Sequence, residues 1–237
     1  MEDITAVDSK EDSFDYSLFS GLLLAGVFFF VRPLWITAQF LVIIIHELGH
    51  TIFGWLFGFA SIPALDLKYG GGWAYHQARS DILLLAIYGI LLWGLYNVRN
   101  KDKAFNIGCV ILLIYGFLAH TDGHQILIIF MGHGFELVIA SVFLFRAFSG
   151  SSIIHQAERP LYGALGFFIV FNNIWFAYSL LAIPAAKHRY MLGKGGHLHD
   201  FHRIANILDL PLSVVAGFFL LTCFLPPIIS YFLTPKN

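Results

Sequence analysis

His46, Glu47 and His50 form an H-E-x-x-H pattern, HELGH, inside the apolar run LVIIIHELGHTIFGWLFGF at residues 41–59. On a helix the two histidines lie one turn apart on the same face and can take one divalent metal between them. Glu47, beside them, is placed to act as general base toward a zinc-activated water. An unpaired carboxylate at the centre of a bilayer costs about 2.5–3.5 kcal/mol. A motif of this kind at this depth points to metal-dependent hydrolysis inside a membrane.

Two histidines do not complete a catalytic zinc site, which takes a third protein ligand and keeps one position open. If the segment carrying HELGH crosses the membrane, its midpoint matches in depth a later segment holding His133 and Glu136 in MGHGFE. These two are three residues apart and share a helix face, so either can serve as third ligand. Asp122, in HTDGHQIL, is the other candidate. It lies roughly 15 Å from the midpoint of its segment on a regular helix, within reach only if that helix starts deep or the loop re-enters. The bland readings are a buried His133–Glu136 pair that fixes helix packing and an ordinary Asp-Gly turn at Asp122.

HLHDFH, residues 197–202, adds His197, His199 and His202 with an Asp between them. That set fits a second metal or, equally, a wet polar loop that meets headgroups. Asn172 and Asn173 sit inside an apolar segment and read as hydrogen-bonding links between helices or as contacts to an extended substrate. His155 and Glu158 read as ordinary loop residues, and Asp209 as a remote ligand candidate.

The elements that position these groups follow from hydropathy. The 237 residues are 58% hydrophobic and 12% charged, about half the charge of soluble domains. The expected fold is an all-α polytopic membrane protein with about six to seven transmembrane helices. The apolar runs lie near 17–31, 34–60, 81–98, 104–119, 125–148, 161–186 and 204–232, with Arg32-Pro33 and Pro226-Pro227 as breaks. Between the second and third, SIPALDLKYGGGWAYHQARS reads as a small Gly-rich β-hairpin. Residues 1–16 read as an acidic solvated tail without the basic start of a signal peptide, and residues 17–237 as one transmembrane helical domain. Lys and Arg divide evenly between the two faces, so the positive-inside rule assigns no orientation.

The net charge of −1 and the lack of a basic block exclude nucleic acid as a partner. The expected surroundings are membrane lipids and either a transmembrane protein substrate or partner subunits of a membrane complex. Cys109 and Cys223 lie in apolar runs and indicate neither a disulfide framework nor a cysteine zinc site.

HELGHTIFGWLFGF, followed by the hairpin YGGGWAYH and another apolar span, resembles the site-2-protease class of intramembrane zinc metallopeptidases (M50), closest to its M50B-like branch. The resemblance implies one zinc per chain, His46 and His50 as ligands, Glu47 as the base and Asp122 of the Asp122-Gly123 pair as third ligand. It covers about residues 40–98 and, more loosely, 118–130. The chain departs from the class pattern in having no clear AGP-x-x-N segment after the hairpin and no LDGG.

Two other readings compete with the protease. One is a non-catalytic M50-like subunit of a larger membrane complex, its metal purely structural. The other is a histidine-box di-iron oxygenase, with iron in place of zinc. It takes the H-x-x-x-H pairs His46/His50 and His120/His124 and a third cluster in HLHDFH, although the chain lacks an HH pair and its boxes differ in depth.

Overall fold

The computed structural model describes residues 3–66, 71–155, 157–193 and 197–235. Among these, the chain is mostly helical, with one small antiparallel hairpin. Helix α1 (Asp3–Phe30) and helix α2 (Arg32–Leu56) are parted at Val31. Pro33 explains the break, since it has no N–H to continue the ladder and fits best in the first turn of a new helix. The backbone of α1 begins at Asp3, so the helix takes in most of the acidic N-terminal segment.

Gly58, at φ +88°, turns the chain out of α2 into strand β1 (Phe59–Asp66), the left-handed stop that glycine adopts without strain. β1 pairs antiparallel with β2 (Gly71–Arg79) from Asp66↔Gly71 to Phe59↔Arg79, with a register shift between Phe59 and Ser61. The hairpin expected from the glycine-rich segment is therefore present. Its connecting residues 67–70 lie outside the described residues. Ser80 caps helix α3 (Asp81–Asn97) by accepting from Leu83 N at 3.3 Å. Helix α4 (Asp102–Ala119) packs on α3 and is followed by α5 (Gly123–Ser149) and α6 (Glu158–Ala182).

The last two apolar runs are divided more finely than hydropathy suggests. Pro184 ends the sixth and opens α7 (Pro184–Met191). The seventh is three helices: α8 (Asp200–Leu208), closed by Asp209 at φ +52°; α9 (Leu212–Thr222), preceded by Pro211; and α10 (Leu225–Leu233), with Pro226 and Pro227 in its first turn. A proline lacks the N–H that a continuous helix needs, so each of these joints falls where the ladder has a gap.

Five helical segments are long and apolar enough to cross a membrane: α2, α4, α5, α6 and the stretch Leu212–Leu233. Leu18–Phe30 and α3 are shorter apolar helices. Only 6% of the apolar window of α4 is buried, and Leu113 and Phe117 are 74% and 70% exposed. An apolar face of that extent suits lipid rather than water.

The chain forms two compact units, Met1–Ile45 with His133–Asn237, and His46–Gly132. In the first, Ala25, Val42, Ile45, Ala140, Leu144 and Phe168 are part of one apolar core. Phe28 and Phe29 of α1 meet the Phe168 ring at 6.5 and 6.2 Å. Arg159 donates to the Ala147 and Phe148 carbonyls near the end of α5. In the second unit, Phe57, Leu84, Ala119 and Ile128 make a smaller core. Tyr115 stacks on Phe57 at 5.4 Å and donates its hydroxyl to Leu56 O at 2.6 Å.

Arg79 ties the hairpin to this second core. Its Nε donates to Phe57 O at 3.0 Å and its Nη2 to Ala119 O at 2.6 Å. Both carbonyls belong to helix C-terminal turns that have no intrahelical donor left. Arg79→Met, which keeps the stem and removes both donors, is expected to destabilise the protein by about 2–4 kcal/mol. Detergent-titrated unfolding followed by circular dichroism measures this, and an unchanged midpoint would show the two bonds to be dispensable.

Candidate metal centre

His46 and His50 lie one turn apart on α2, and their Nε2 atoms face each other at 3.0 Å. His50 is buried, and its Nδ1 stands 2.8 Å from the Ile128 carbonyl of α5. A carbonyl can only accept, so Nδ1 carries the proton and the lone pair of His50 is left on Nε2. Two nitrogens bound to one tetrahedral zinc at about 2.0–2.1 Å each stand about 3.3 Å apart. The pair is close to that separation, and the Nδ1–carbonyl bond is the orienting contact that metal-binding histidines usually have. The donor set therefore fits a zinc ion.

α5 is shaped to receive the two rings. Gly132, one turn beyond Ile128, is the residue beneath them. A Cβ at this position would stand 2.4 Å from His50 Nε2 and 2.6 Å from both Cε1 and Nε2 of His46. The glycine is a requirement of the site, and the sequence offered only one signal for it: a glycine inside a helix, where it is unfavourable without a packing reason.

Glu47 is 6% exposed. The hairpin closes on it from β2: a Cβ on Gly72 would lie 2.3 Å from Glu47 Cγ and 2.5 Å from Oε1. Further along, Ser61 Oγ and the His76 ring rest against Gly54, one turn past His50, with Ser61 Oγ and His76 Nδ1 2.6 Å apart. Alternation along β2 turns Gly72 and His76 to the same side, so this face of the hairpin runs along α2. Its bare backbone is set against the carboxylate.

The remaining sequence candidates fall as follows. Asp122 is exposed, immediately before the first residue of α5, with its backbone carbonyl accepting from Gln125 and Ile126. Gly132 lies ten residues further on, roughly 15 Å along a regular helix. His133 and Glu136 do meet, with Nδ1 and Oε1 3.2 Å apart, and Asn173 of α6 joins them. Asn172 is half-buried, without this role.

His120 and His124 do not share a helix. His120 caps the end of α4 and stacks on Tyr88, while His124, on α5, pairs with Thr121 O at 2.5 Å and stacks on Phe59. His199 precedes α8 and stacks on Tyr190 at 4.5 Å; His202 lies in α8, its Nδ1 buried without a hydrogen bond. His155 N donates to Glu158 Oε1 at 3.1 Å, closing the turn into α6. Asp209 closes α8.

No protein-family model, curated protein or solved structure matches this chain.

Proposed function

We propose that this chain is a membrane-embedded zinc endopeptidase resembling the site-2-protease class, M50B-like branch, which hydrolyses peptide bonds of membrane-associated proteins. The observation that carries the reading is the facing pair of Nε2 atoms of His46 and His50, with His50 held by the Ile128 carbonyl and Glu47 beside them. His46 and His50 would hold the metal. Zinc, when bound, supplies Lewis-acid polarisation of the scissile carbonyl and acidifies a water. Glu47 accepts the proton at its carboxylate and passes it to the leaving amine. The hairpin presents a strand edge to which an unwound substrate segment can pair. With the two shorter apolar helices crossing beside the five long segments, the chain makes seven crossings.

Metal analysis of the purified full-length protein tests this, run beside His46→Ala. The expected result is about one zinc per chain in the wild type and none in the variant. Replacing Asp122, His133 and Glu136 in turn then identifies the third ligand. A metal-free wild type, or zinc that persists without His46, overturns the reading. Two irons per chain would return the chain to the oxygenase class.

A further inference from the structure

The polar cluster between α5 and α6 holds more order than helix packing requires. Glu136 and Asn173 are 2% and 1% exposed. Asn173 Nδ2 donates to Glu136 Oε2 at 2.6 Å and to Ile169 O, one turn back on its own helix, at 2.9 Å. The Ile169 carbonyl can only accept, so the amide orientation is fixed by its partners. Asn173 Oδ1 then faces His133 Nδ1 at 3.1 Å, with Glu136 Oε1 3.2 Å from the same nitrogen. A ring nitrogen facing two acceptor oxygens carries the proton. In the neutral imidazole this leaves the lone pair on Nε2, the tautomer of a metal-binding histidine with a carboxylate behind it.

The ring plane is held as well. Phe176 stacks on His133 at 4.5 Å, and Phe201 and Phe219 flank it at 5.0 and 5.3 Å. Phe201 is the second residue of α8, and Asp200 is the first. Tyr190 anchors this turn, its Oη accepting from Phe201 N at 3.1 Å and its ring stacking on His199. The two ligand atoms of His133 and Asp200 lie within 4.8 Å of each other. A packing role would account for the Glu136–Asn173 bond. It would not account for a histidine held in one tautomer with a carboxylate brought to its ring.

We propose that His133, through Nε2, and Asp200, through its carboxylate, are ligands of a divalent metal, with Glu136 and Asn173 as positioning residues that hold the His133 ring. A mixed nitrogen–oxygen donor pair of this kind suits zinc. The inference rests on the reading of the chain as a metal protein; within the unit that holds α6 and α8 it makes Asp200 a ligand and Glu136 a positioning residue.

The test uses the full-length protein in detergent, stripped with a chelator and reloaded with zinc or with cobalt, whose visible band reports the ligand set. His133→Ala and Asp200→Ala are expected to lose metal and to change the cobalt band. Asn173→Leu is expected to keep the band and to bind about 10–100-fold more weakly, as loss of an orienting contact does. Asp209→Asn, a carboxylate removed at the other end of α8, controls for charge and is expected to bind as the wild type does. Circular dichroism and gel filtration show whether each variant is folded. Wild-type metal content and cobalt band in both His133→Ala and Asp200→Ala would overturn the assignment. If His46→Ala still lost its zinc, the proposed function would stand without it, whereas a wild type without metal would sink that reading itself.

Discussion

Glu47→Gln is expected to bind zinc as the wild type does and to lose peptide hydrolysis by about 10²–10⁴-fold, the usual contribution of a positioned general base. Glutamine has the shape of glutamate, which matters here because the side chain has little room. It is 6% exposed and lies directly under the backbone of β2 at Gly72. A larger or branched substitute would push the hairpin away and mix a packing defect with a chemical one. The isosteric change removes only the ability to take a proton. Cleavage of a quenched fluorescent transmembrane peptide in lipid vesicles, with metal content measured on the same sample, separates the possibilities. Near-wild-type cleavage would place the base elsewhere, and loss of zinc would make Glu47 a ligand rather than a base.

The part of this site legible in the sequence is the part that one helix specifies. The spacing in HELGH determines which face of α2 carries His46 and His50, whatever packs against it. The same holds for His133 and Glu136 on α5, three residues apart, and the glycines of YGGGW announce the hairpin through local backbone preference. What the sequence leaves open is the partner across a helix interface. Asn173 is 37 residues from Glu136, and nothing in its neighbourhood distinguishes it from Asn172 except the face on which it falls. Gly132 and Gly72 matter through the side chains they leave room for, which local composition does not encode. Hydropathy, for its part, averages over prolines. It read residues 204–232 as one apolar run, whereas Pro211 and Pro226-Pro227 set the joints of three helices. The placement of Asp122 turned on where α5 begins. Helix boundaries are the least local feature of a long apolar segment, since solvent, caps and lipid all contribute to them.

Gly132→Ala is expected to put a single methyl directly against the two facing imidazoles. The added carbon would stand 2.4 Å from His50 Nε2 and 2.6 Å from His46 Nε2, on the atoms that the proposed function assigns to the metal. Neither ring can yield cheaply. Moving His50 breaks its bond to Ile128 O, and moving His46 alone opens the 3.0 Å separation between the two nitrogens. A backbone shift of α5 would disturb Ile128 in the apolar core beside it. The expected overpacking cost is about 1–3 kcal/mol, with zinc affinity falling about 100-fold because the His50 bond to Ile128 O and the ligand geometry fail together. Gly89→Ala provides the comparison, since nothing lies within 4 Å of a Cβ at that position on α3. There the methyl should leave zinc unchanged and stabilise by about 0.5–1 kcal/mol, the ordinary preference of a helix for alanine. If Gly132→Ala bound zinc as tightly as Gly89→Ala, the two imidazoles would have to hold the metal in an arrangement other than the facing pair on α2. The glycine would then be explained by helix packing alone.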